Sequence, residues 1–99
     1  MARQEFDVLG YGTVKGEITT GKEKIDPSPR PGLLGVHKVL GGGKGYSITH
    51  LPTGRHVLWT RLQGEAKTIQ RKLEALDWDD PALTEVENAV IEFRAANLP

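Results

Sequence analysis

The stretch YSITHLPTGRHVLWTRL, running from Tyr46 to Leu62, decides the fold. Two segments rich in β-branched and aromatic residues flank Leu51-Pro52-Thr53-Gly54-Arg55, which fits a three-residue hairpin loop. Proline presets φ at the first loop position, and glycine takes the left-handed third position. That register places Leu51 opposite Arg55, Thr49 opposite Val57 and Ser47 opposite Trp59. The other face carries Tyr46, Ile48, His50, His56, Leu58, Thr60 and Leu62, and its apolar members Ile48, Leu58 and Leu62 assign it to the core. Trp59 is then expected on an exposed face beside Arg55, Arg61, Ser47 and Thr49. Val57 and Leu51 fall on that same outward face, so pattern and register conflict at these two positions.

Upstream, Phe6 to Leu9 and Thr13 to Thr20 read as short strands broken by Gly10, Gly12 and Gly16. Gly21 to Gly32 carries Pro27, Pro29 and Pro31 among mixed charges and has no periodicity, so a loop is expected there. Leu33 to Leu40 reads as a further strand, joined to Tyr46 by Gly41-Gly42-Gly43-Lys44-Gly45. Downstream, Ala66, Ile69, Leu73 and Leu76 recur at helical spacing, which predicts a helix from about Gly64 to Leu76. Asp80-Pro81 is a helix start signal, a capping carboxylate followed by a residue preset for the first turn. The second helical stripe is Leu83, Val86, Val90 and Phe93, with Trp78 as the plug between the two helices. Strands followed by helices predict an α+β fold, a small antiparallel meander of three to five strands with two C-terminal helices packed on one face. The 99 residues form one domain in this reading: Gly/Pro-rich strands and loop over 1–32, the hairpin core over 33–62, and the helices over 64–96.

Charge is segregated along the chain although the formal total is zero. Leu33 to Lys72 carries seven cations against Glu65 alone, and Leu73 to the C-terminus carries seven anions against Arg94 alone. Such polarity points to a polyanionic or oppositely charged partner. No cysteine is present, so neither a disulfide framework nor a thiolate metal site is available. No apolar run has the length of a signal h-region or a membrane span, and a cytoplasmic protein is the expectation.

Signatures of chemistry are weak. The glycine run lacks the Walker spacing, because Gly43-Lys44 is followed by Gly45 and position 38 is lysine. Gly10-Tyr11-Gly12 does not complete the dinucleotide fingerprint, since position 15 is lysine. His50 and His56 oppose one another in the expected register, with His37 on a neighbouring strand. No cysteine or local carboxylate completes a zinc set with them, and structural roles are expected. Ser28 and Ser47, the two serines, stand outside any nucleophile-elbow context. A non-enzymatic module without cofactor or metal is the expectation.

The best functional constellation is Trp59 with Lys44, Arg55 and Arg61, an aromatic platform flanked by cations that displace counterions from phosphate. The alternative is that Trp59 packs against the N-terminal segment and the arginines form a solvated rim. The meander, its Pro52-Thr53-Gly54 hairpin and the following helix resemble, from Leu33 to Leu76, small sheet-plus-helix DNA readers such as the arm-binding domains of phage-type integrases. The likeness is one of topology, so no family residue transfers. Nucleic-acid binding, as in a phage or mobile-element accessory protein, is the leading reading. The rivals are an adaptor or inhibitor docking its acidic helix, through Glu85, Glu87 and Glu92, on a basic protein, and a homo-oligomer in which the two charged halves complement each other.

Overall fold

Five antiparallel strands follow one another in spatial order as in sequence, and two helices follow the last of them. The computed structural model describes residues 2–18 and 32–97, so the Pro-rich loop expected over Gly21 to Gly32 lies outside it save for its last residue. The strands are β1 (Ala2–Val8), β2 (Gly12–Ile18), β3 (Leu34–Lys38), β4 (Tyr46–His50) and β5 (Arg55–Thr60). The helices are α1 (Gln63–Glu74) and α2 (Thr84–Asn97). The α+β architecture expected from the hairpin and the helical stripes is the one observed.

The helices cover one face of the sheet. Leu34, Val36, Ile48 and Leu58 project from neighbouring strands onto Ala66, Ile69 and Leu73 of α1, forming the main core. Two fully buried polar residues of α1 then fasten the helix to the start of β3. Gln70 donates its side-chain amide to the Leu34 carbonyl at 2.7 Å, and Glu74 accepts from the Leu34 amide at 3.1 Å. A strand end that would otherwise leave both backbone groups unsatisfied in the interior is thereby completed. α2 lies against β5 and α1. Phe93 packs on the core but remains half-buried, whereas Ile69 is buried, so of the two expected anchors the one on α1 is the deeper. Trp78 plugs the helix junction as expected: its indole donates to the Leu73 carbonyl at 2.7 Å and stacks on His50 with ring centroids 5.0 Å apart.

The other face is not open. In a flat sheet β1 and the β4–β5 turn stand about 14 Å apart, three strand spacings. Here the Leu9 amide donates to the Gly54 carbonyl at 2.6 Å, so the sheet curls until its first hairpin meets its last. Phe6, Val8 and Ile18 form a second, smaller core inside the curl. The Phe6 ring occupies the space that side chains at Gly16 and Gly35 would need, which lets β1 fold over β2 and β3. Ser47, 8% exposed, and Thr49, 0% exposed, therefore lie buried on the concave face instead of on an exposed one. Among the described residues, β2 and β3 are joined at one ladder pairing, Glu17 with Val36; towards Gly12, β2 runs apart from β3 and the sheet is split.

Two further details differ from the sequence reading. A bulge between the Ile48–Leu58 and Thr49–His56 pairs places Val57 as the extra residue of β5. Ser47 faces Trp59 as expected, but Thr49 pairs with His56 and His50 with Arg55, so the hairpin loop runs from Leu51 to Gly54 and is one residue longer than the expected three. The bulge removes the conflict at Val57, which packs against the helix-side core. The start of α2 is also displaced: Asp80 accepts from the amides of Ala82 and Thr84 at 3.0 and 3.2 Å, and Pro81 lies ahead of the helix rather than in its first turn. Leu83, at φ 52°, makes the break between turn and helix.

Candidate nucleic-acid interface

Trp59 is held by the glycine-rich connection between β3 and β4. Its indole nitrogen donates to the Lys44 carbonyl at 3.0 Å. A Cβ at Gly45, whose φ is 101°, would collide with the ring, so the indole rests on bare backbone at a position that only glycine adopts freely. The ring stays 38% exposed. An aromatic surface fixed from behind loses little freedom when a ligand stacks on it.

In front of Trp59 lies a cavity of about 410 Å³ in the concave face. His37, Ser47 and Trp59 form a cross-strand row on β3, β4 and β5, with Thr49 and His56 in the next row. His37 Nε2 is 2.8 Å from the Thr49 hydroxyl, so the floor is polar and already ordered. Tyr11, exposed in the β1–β2 turn, stands at the cavity wall. Among the described residues no carboxylate lines this cavity. Burial, then the charges of Arg94 and His37, hold the His56 imidazole below its ordinary value, and it is neutral near pH 7. His50 is lowered by burial as well, and its ring lies 2.8 Å from the Thr53 hydroxyl. The two histidines do not oppose each other as the unbulged register required, because His56 faces Thr49. Among the described residues no three His, Asp or Glu side chains converge on a metal-sized site.

The predicted site residues separate. Lys44 and Trp59 are together. Arg55, paired with His50, is turned by the bulge to the helix side, where it lines a groove of about 620 Å³ with Trp78, Val90 and Glu87. Arg61 is exposed just beyond β5. Glu85, Glu87 and Glu92 are exposed on α2; Glu87 borders the groove that holds Arg55 and Arg94, not the Trp59 cavity.

Three cations that the sequence reading did not nominate gather elsewhere. Arg3, Lys15 and Lys38 line a cleft of about 710 Å³ at the split between β2 and β3, with Tyr46 and Gln63 beside them. Among the described residues Glu17 is its one carboxylate, and it is paired with Lys67 of α1. Arg3 faces Glu17 across β1 and β2, so the register of the first hairpin was the available signal. The Gly10 turn alone did not reveal that β3 would part from β2. No protein-family model matches the chain, and neither the curated proteins nor the solved structures contain a match to it.

Proposed function

We propose that the chain is a small non-enzymatic module that binds nucleic acid through the concave face of its sheet. The observation that supports this reading best is the Trp59 indole, fixed by the Lys44 carbonyl and Gly45 and left partly exposed over a cavity free of carboxylates among the described residues. A base stacking on such a ring contributes about 1–3 kcal/mol with little dependence on its identity, and nearby cations add counterion release. Glu87 of α2 borders a different groove and no anion of α2 lines the Trp59 cavity, so none opposes phosphate there. The test is a binding screen of the full chain against single- and double-stranded DNA and RNA at two salt concentrations. Binding that weakens with salt and with Trp59→Ala supports the reading; no binding at low salt discards it.

A second reading has its own support. Ile91 of α2 is 64% exposed at the edge of the groove that holds Arg55, Glu87 and Arg94. An apolar side chain ringed by charges of both signs suits a protein surface, and this adaptor reading takes over if the screen is negative.

A further inference from the structure

Resting on the nucleic-acid reading, we propose that the ligand is single-stranded, with one unstacked base in the Trp59 cavity and the adjoining phosphates in the cleft between β2 and β3. The two hollows meet where β2 and β3 part: His37, Val39 and Leu40 line both, so the end of β3 is the ridge between the concave face and a cleft whose cations, Arg3, Lys15 and Lys38, stand on the helix side. On one side of the ridge are aromatic rings and neutral polar groups, Trp59, Tyr11, Ser47 and Thr49. On the other are Arg3, Lys15 and Lys38. This division matches the chemistry of a nucleotide, whose base is a flat apolar surface with a hydrogen-bonding edge and whose phosphate is an anion one sugar away.

Charge in the cleft favours phosphate. Glu17 is offset by Lys67, and Arg3 stands 4.0 Å from the same carboxylate, which leaves Lys15 and Lys38 outside that cluster. Glu5 faces Lys15 from β1 but does not line the cleft. Gly41 borders the cleft with φ 82°, so the backbone there carries no side chain to block an approaching phosphate. The base cavity excludes a duplex for a steric reason. A paired and stacked base has both faces covered and cannot offer one to the indole, whereas a strand end or an unpaired base can.

The reading also reassigns the cations. Arg55 lines the groove beside α2 and lies off this path, and Lys15 and Lys38 take the part expected of it. The test uses the full chain and fluorescently labelled oligothymidylate and oligouridylate of about a dozen nucleotides. Comparison ligands are a duplex and an abasic deoxyribose-phosphate strand of equal length. Both single strands should bind more tightly than the duplex and the abasic strand, DNA and RNA being the two sources that these arms separate. Lys15→Ala and Lys38→Ala should each flatten the dependence of log affinity on log salt by about 0.7, with Lys→Arg variants keeping it. Trp59→Ala should lower affinity about tenfold and leave that slope unchanged. A duplex that binds as tightly as the single strands, or slopes that respond to Arg55→Ala and not to Lys15→Ala or Lys38→Ala, overturns the strand path while nucleic-acid binding stands. Absence of binding to every oligonucleotide at low salt overturns both.

Discussion

At Gly45 a single hydrogen in place of a methyl group decides whether Trp59 can lie where it does. Gly45→Ala should displace the indole, because both the positive φ and the space are forbidden to alanine. The check is tryptophan emission together with oligonucleotide affinity: a red shift and weaker binding are expected, and an unchanged spectrum refutes the close packing. Glu74 makes the same point for the core. It reads as one of the seven anions of an acidic C-terminal half, yet it is fully buried and accepts from the Leu34 amide. Glu74→Ala should destabilise by about 1–3 kcal/mol, since a buried backbone donor loses its acceptor. Glu74→Gln, which keeps an acceptor oxygen, should lose less; equal denaturation midpoints for wild type and Glu74→Ala would count against the bond. Neither role was legible in composition, because a residue type does not state which neighbour it will meet.

At the level of elements, α1 was the more readable helix and β5 the less readable strand. The stripe Ala66, Ile69, Leu73 became the buried face of Gln63–Glu74, within two residues of the expected bounds. For β5, local turn chemistry implied an unbroken register, and a bulge at Val57 turned Arg55 to the opposite face from Trp59. The hint was present: an apolar Val57 assigned to the outward side was the conflict that one extra residue relieves. The unequal depth of the helices gives a stability prediction. Ile69→Ala should cost about 2–5 kcal/mol, and Phe93→Ala, half-buried, should fall below the roughly 3–5 kcal/mol typical of a fully buried phenylalanine. Thermal or urea unfolding of both variants checks the order, and a larger loss for Phe93→Ala would reverse the ranking of the two helices.

For the whole molecule, the titration of the histidines links stability to binding. His50 and His56 are held below the ordinary imidazole value of about 6.5 mainly by burial, so the unfolded chain binds more protons than the folded one as pH falls through that value. Stability should be complete above about pH 6.5 and decline below it, until the depressed folded values are passed. Protonated His56 would at the same time add charge beside the Trp59 cavity and strengthen oligonucleotide binding. Melts and binding measured across mildly acid pH should therefore move in opposite directions; His56→Gln should reduce both trends, and a pH-independent melting midpoint would rule out imidazoles held neutral by the fold. The sequence alone determined the α+β order, the position of the hairpin and the helical stripe of α1, because turns and periodicity act over a few neighbouring residues. The Ser47–Trp59 pairing holds because a loop one residue longer than expected is offset by the bulge. Tertiary structure alone decided the curl that brings Leu9 to Gly54, the split between β2 and β3, and the gathering of Arg3, Lys15 and Lys38 beside the Trp59 cavity. These depend on contacts between residues far apart in the chain, Phe6 over Gly35 and Glu74 against Leu34 among them, and no local pattern encodes where such partners meet.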